Sequence, residues 1–199
     1  VLSLAATLWL TGAFHEDGLA DTFDALGGAV DRERALAIMK DSRIGSYGAV
    51  ALVVACLLKV AAVAALATAA PSGIGWAAPA LVWSHTASRA APAWIASRLP
   101  YAGSVQASKA QALAAQVTSN CFWIGLGGVA LTSLCVIGIG GAQHQSRAVA
   151  CVSIALFGGA AVTACCCRWL EQRLGGYTGD TLGATQQLVE LASLLAWLA

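Results

Sequence analysis

The chain has 199 residues, 58% hydrophobic and 11% charged, with mean hydropathy +0.72 and net charge +1. Soluble domains carry about 25% charged residues, so the composition excludes an ordinary soluble protein, and the absence of a basic field argues against nucleic acid as a partner. The expectation is a single integral membrane domain over residues 1–199, all-α, a polytopic transmembrane helical bundle with about six hydrophobic helices, the first incomplete.

In chain order, an apolar run of about 14 residues opens the sequence, short of the ~30 Å hydrocarbon core when helical. It is expected to begin inside a span, with an N-terminal segment lying outside this sequence. FHEDGLADTFD follows over Phe14 to Asp24, and Gly27-Gly28 break the pattern. The charged stretch 31–43 reads as a short amphipathic helix with Leu36, Ile38 and Met39 on its apolar side. A second span covers 46–70 and contains Lys59; Pro71-Ser72-Gly73 form a turn; a weaker third span over 74–95 contains His85 and Arg89. Residues 98–118 are polar and alanine-rich and open with RLPY. A fourth span at about 121–141, a short turn (AQHQS), a fifth span at about 148–169, a loop over 170–184 and a final apolar helix complete the chain. The seven cysteines lie in or beside apolar segments without zinc-type pairing, and read as small packing residues.

Basic residues set the expected orientation, because cytoplasmic loops retain Lys and Arg. Arg32, Arg34, Lys40 and Arg43, then Arg98 and Lys109, then Arg168 and Arg173 mark the first, third and fifth loops, against Arg147 alone in the fourth. Trp76, Trp94, Trp123 and Trp169 near span ends agree, as an aromatic belt. The acidic helix, KDSRIGSYG and GGYTGDTLG are thereby expected on one cytoplasmic face.

On a helix Asp17, Asp21 and Asp24 fall within a sector of about 60°. Like charges held together call for protons or a hard cation with oxygen ligands. The sector reads as a metal site, the alternative being a solvated acidic face. Lys40, Asp41 and Arg43 precede Gly45 and Gly48 at a helix start, where free amides and cations suit a phosphate; the same pattern also reads as a positively charged anchor with a helix cap. Gly175, Gly176, Gly179 and Gly183 surround Asp180 and the hydroxyls of Thr178 and Thr181, a loop that lets backbone approach a ligand. Lys59 and Arg89 lie in apolar spans, where an unpaired charge costs about 2.5–3.5 kcal/mol. Arg89 is expected to face the interior or a polar cavity with His85; Lys59 either does the same or snorkels.

Together FHEDGLADTFD, IMKDSRIGSYG and LGGYTGDTLGA resemble the bacterial cobalamin synthase family, the adenosylcobinamide-GDP ribazoletransferases, in order and over essentially the whole chain. The resemblance implies a multi-pass inner-membrane transferase with its active site facing the cytoplasm. Such an enzyme depends on Mg²⁺ and joins adenosylcobinamide-GDP to α-ribazole or its 5′-phosphate with release of GMP. On this reading Asp17, Asp21 and Asp24 bind the metal, with Asp180 beside them in catalysis, while Lys40, Asp41, Arg43, Gly179, Thr181 and Arg89 bind substrate and membrane lipid surrounds the bundle. The chain departs from the family pattern at Ala25, where glycine is usual, at Gly103, where arginine often follows RLPYA, and in lacking a hydrophobic upstream segment. The spaced aspartates are also similar to those of CDP-alcohol phosphotransferases, and a small transporter with Lys59, His85 and Arg89 at its midplane is a rival reading.

Overall fold

A computed structural model describes residues 1–28, 30–68, 75–103, 119–139 and 141–199. In chain order the helices are α1 (Leu2–Thr11), α2 (Phe14–Leu26), α3 (Arg32–Ile38), α4 (Ser46–Thr68), α5 (Ala77–Arg98), α6 (Ser119–Ile139), α7 (Gly141–Leu174) and α8 (Gly179–Ala196). The all-α expectation holds among these residues, where a single β-bridge joins Tyr101 to Tyr177. The turn at 71–73 and Lys109 lie outside them.

Three segments are long and apolar enough to cross a membrane: Ser46–Thr68, Asn120–Ile139 and His144–Leu174. Their outer faces are mostly lipid-type side chains, with Val50, Leu57, Ile124, Leu134 and Phe157 exposed, as a bundle bathed in hydrocarbon requires. The other expected spans differ. α1 is apolar but only ten residues long; α5 carries His85, Arg89 and several small polar residues; and the last helix is not the apolar closing element the sequence suggested. α8 is packed against α2, α5 and α7 and reaches α4, and its buried face includes Thr181, Thr185, Gln186, Gln187, Glu190 and Ser193. A central helix can be polar where neighbouring helices supply the partners that lipid lacks.

Two further boundaries move. AQHQS is not a turn: α7 starts at Gly141 and includes it. At 34 residues α7 is about 51 Å long, more than a bilayer core, and its last turn absorbs Glu171 to Leu174 of the expected loop. The loop shrinks to residues 175–178, with Thr181 and Gly183 inside α8.

The core divides in two. Around Trp83, Trp197, Leu66, Val136 and Val152 lies one cluster; the other, around Ala25, Leu26, Met39, Ile95, Leu170, Leu174 and Tyr177, ties the acidic helix and amphipathic α3 to the ends of α5 and α7. Two arginines lock this second end reciprocally. Arg32, the first residue of α3, donates through Nε to the Leu174 carbonyl at the end of α7 (2.6 Å), while Arg173 of α7 donates to the carbonyls of Leu26 (3.1 Å) and Gly28 (2.8 Å) at the end of α2. Each cation meets the carbonyl end of a helix, the favourable pole of its dipole.

Close approach of α2 and α8 depends on glycine. A Cβ on Gly18 would lie 2.6 Å from the Asp180 carbonyl oxygen, so any side chain there pushes apart the two helices that carry the carboxylates. Gly18→Ala is expected to destabilise the protein by about 1–3 kcal/mol through overpacking, read as a lowered thermal midpoint in detergent. Gly127→Ala, with open space around its Cβ position, should leave the midpoint unchanged or slightly raised.

Candidate active site

α2 is short and polar, and its first turn contains Glu16 and Asp17, acidic groups at the positive end of the helix dipole. It leaves α1 through Gly12 and Ala13, both left-handed at φ 62° and 56°. This corner opens a cleft of about 570 Å³ lined by Thr11 to Phe14, Glu16, Asp17, Ala20, Asp21, Ser42, Ile44 and Leu52.

Asp180 comes to the same place from the other end of the chain. Thr178 caps α8 and accepts from the Thr181 amide (3.3 Å), while Thr181 Oγ1 accepts from the Thr178 amide (2.9 Å). This reciprocal cap leaves Asp180 in the first turn, over Gly18. The loop before it is held by the third-loop segment RLPYA: Tyr177 N donates to the Pro100 carbonyl (3.0 Å) and Ala102 N to the Tyr177 carbonyl (2.8 Å). Gly176 is required there, since a Cβ would run into the Pro100 carbonyl.

Burial and neighbouring charge are felt at Asp21 and Asp180. Burial first, then the charges of Asp17, Asp180 and Asp24, push the Asp21 carboxyl up to about 6. Asp180 is raised too, by burial and by Asp17. The sequence-predicted set is thus brought together, but not as three equivalent free ligands. Asp24 accepts from the amides of Gly45 (2.7 Å) and Gly48 (2.8 Å), and its carboxylate fills the space where their side chains would stand. The amides read from sequence as a phosphate cradle are occupied by the chain's own anion, which caps α4. Among the described residues no group of three His, Cys, Asp or Glu side chains forms a ready-made metal cage.

The expected substrate-binding residues divide similarly. Gly179 and Thr181 lie in the first turn of α8 beside Asp180. Arg43 forms a two-pronged pair with Asp41 (2.6 Å at its shortest), and that guanidinium holds the Asp41 carboxyl down at about 2. Lys40 is exposed just beyond α3. Arg89 does not face the interior: it is exposed and donates to the His85 carbonyl of its own helix (2.6 Å). Lys59 does turn inward, paired with Glu190 at 2.8 Å and bonded to Gln187 at 2.6 Å. Sequence reasoning missed Glu16, Gln187 and Glu190. The available signal was Glu190 itself, an acidic residue in a membrane helix that needs a cation such as Lys59.

A family profile for cobalamin-5-phosphate synthase matches residues 1–198. The chain belongs to that family. It is 52% identical to an adenosylcobinamide-GDP ribazoletransferase of Leptothrix cholodnii over the whole of this chain and 72% of the relative. Proteins of the same name from Polaromonas naphthalenivorans (43% identical, 97% of this chain and 70% of the relative) and Shewanella amazonensis (42%, 100% and 71%) agree. No solved structure matches the chain. The family match spans the acidic helix and the α8 loop, which the fold brings together where Asp180 lies over Gly18.

Opposite stability effects are expected from two neighbouring aspartates. With its carboxyl raised from 3.8 to about 6, Asp21 binds more protons folded than unfolded, so its penalty is absent below about pH 4, grows through this interval and is full above it. Two units correspond to about 3 kcal/mol, reduced to ~1 kcal/mol by solvent screening at this half-exposed group. Asp21→Asn should therefore raise the metal-free melting midpoint by about 2–4 °C at pH 8 and by nothing at pH 4. Asp24→Asn should lower it at pH 8, because an amide cannot accept from both Gly45 and Gly48 amides, a loss of about 1–3 kcal/mol. Scanning calorimetry in detergent reads both signs.

Proposed function

We propose that this membrane protein is an adenosylcobinamide-GDP ribazoletransferase, joining adenosylcobinamide-GDP to α-ribazole or its 5′-phosphate and releasing GMP. The observation that carries this reading is the convergence of Asp17, Asp21 and Asp180, from opposite ends of a chain matched to the family over residues 1–198. In the reaction a ribose hydroxyl oxygen bonds to the phosphorus that bears cobinamide, the bond from that phosphorus to the GMP oxygen breaks, and the hydroxyl proton passes to a carboxylate.

The donor set fits Mg²⁺, which takes oxygen ligands and usually one or two carboxylates plus substrate phosphates rather than a full protein cage. Asp17 and Asp21, both on the cleft wall, are the proposed holders. Held there by Asp17 and Asp21, Mg²⁺ would supply positive charge to the pyrophosphate. Asp180, raised by burial and by Asp17, is the proposed proton acceptor, since a carboxyl lifted above its ordinary value takes up a proton more readily. Asp24 positions rather than reacts: it binds α4 to α2 and so fixes one wall of the cleft against the other. Lys40 and Arg43 stand at the cytoplasmic rim as phosphate-facing cations, with Arg43 exchanging its Asp41 partner for substrate.

Asp21→Asn is expected to lower GMP release by at least 10²-fold at ordinary Mg²⁺, the scale of losing one electrostatic stabiliser of a transition state. Asp31 caps α3 by accepting from the Arg34 amide at 2.8 Å, away from the cleft, and Asp31→Asn should keep near-parental turnover. Wild-type protein incubated with both substrates should release GMP with Mg²⁺ and not after chelation; release insensitive to chelation overturns the metal assignment.

The cytoplasmic orientation, in a bacterial inner membrane, rests on the basic residues of the first, third and fifth loops. In a cysteine-free background, a single cysteine at exposed Gln145, on the first turns of α7, should react with an impermeant reagent added from the periplasm, and one at exposed Glu33 of α3 should not. The reverse pattern overturns the orientation.

A further inference from the structure

The buried polar cluster between α2, α4, α5 and α8 has a hydrogen-bond direction that one residue dictates. Lys59 Nζ carries only protons, so it donates to Gln187 Oε1 (2.6 Å) and pairs with Glu190 Oε1 (2.8 Å). With its oxygen committed, Gln187 turns Nε2 towards Glu16 Oε1 (3.1 Å) and Gln186 Oε1 (2.9 Å). Gln186 passes the direction on, donating to Glu190 Oε2 (2.6 Å) and Ser88 Oγ (3.0 Å). Among the described residues, the buried side-chain oxygens without a partner on these helices are Glu16 Oε2 and the hydroxyls of Thr22, Ser84 and Ser193, and of these residues Glu16 alone lines the cleft of Asp17 and Asp21. Glu16 is 6% exposed and belongs to the wall of the cleft lined by Asp17 and Asp21.

A buried carboxylate oxygen without a donor is costly, and the surrounding protein supplies none. A molecule filling the cleft can supply that donor. A phosphate does not fit, because it brings further acceptors and negative charge to a carboxylate. A neutral hydroxyl does. Of the two substrates of the proposed transfer, the one that must present a hydroxyl beside Asp17 and Asp21 is the nucleoside.

We propose that Glu16 is a substrate contact for the acceptor alcohol: its Oε2 accepts a hydrogen bond from a ribose hydroxyl of α-ribazole, while Gln187, locked by Lys59, holds the carboxylate in place. This assignment rests on the transferase reading and adds to it a residue that discriminates between the two substrates. It also gives the intramembrane ion pair a task at the site, since Lys59 decides which end of the Gln187 amide faces Glu16.

The test is steady-state kinetics on the full chain in detergent or liposomes, varying each substrate separately. Glu16→Gln replaces the acceptor at Oε2 with a donor at unchanged volume. It should raise KM for α-ribazole by roughly 10- to 100-fold, the range of one hydrogen bond to a charged group, while KM for adenosylcobinamide-GDP stays within about twofold, inside the scatter of such contacts. Glu16→Asp, which keeps a carboxylate one methylene shorter, should recover part of the loss, and Gln187→Met should raise the same KM to a smaller extent. Equilibrium dialysis of α-ribazole alone should show the same weakening in Glu16→Gln. An unchanged KM for α-ribazole, or an equal rise for both substrates with a lowered melting midpoint, overturns the assignment and leaves Glu16 a structural residue. Wild-type protein that releases no GMP from the two substrates overturns the transferase reading instead, an outcome distinct from a wild type that turns over and a Glu16→Gln variant indistinguishable from it.

Discussion

The pairing of Lys59 with Glu190 is the constraint on which the rest of the bundle depends. Both side chains are nearly fully buried, and in that setting removing one partner leaves an uncompensated charge, at a cost of about 3–5 kcal/mol. The pair joins α4 to α8. Through Gln186, Gln187, Ser88 and His85 it extends to α5 and α2. Apolar surface cannot drive helices together inside a bilayer as it does in water, so small residues and polar bonds must specify the packing. Here both operate: Gly18 and Gly183 bring α2 and α8 into contact, Gly125 approaches Ala90 between α6 and α5, and the polar cluster fixes register.

That register brings repelling groups together. Asp180 of α8 is held near Asp17 and Asp21 of α2, and burial first, then the neighbouring charges, raise the Asp21 and Asp180 carboxyls. The arrangement is held by structure on both sides of the cleft. Asp24 accepts from two amides at the head of α4, the reciprocal Arg32 and Arg173 contacts close the far end of α2, and the Tyr101–Tyr177 bridge pins the loop leading to Asp180. A region poised in this way is suited to a cation or a proton, because either relieves a repulsion that is already present.

Division of labour among the acidic residues follows from their surroundings rather than their type. Asp24, with two backbone donors, is an internal cap. Asp41, bonded to exposed Arg43, stays ionised at the surface. Asp31 caps α3. Asp17, Asp21 and Asp180, which share the other side of α2, are the proposed reactive set. Glu16, beside Asp17 in sequence, is directed by α8 instead.

The sequence by itself determined the membrane class, the helical content and the acidic sector, because these follow from composition and from the fixed angular step of a helix. Its three motif blocks also carried the family. It located the amphipathic α3 and the break after α2, where glycines act locally. Only the tertiary structure decided which neighbour each polar group meets. The Gly45 and Gly48 amides look free in one dimension and are filled by a carboxylate 21 or more residues earlier. Arg89 and Lys59 look alike in apolar spans, yet one returns to its own helix and the other finds Glu190, 131 residues later. The final helix looked apolar because hydropathy sums side chains without knowing their partners. Long-range pairing has no local periodicity to betray it, and in a membrane it is the pairing that determines whether a polar residue is a cost, a joint or part of a site.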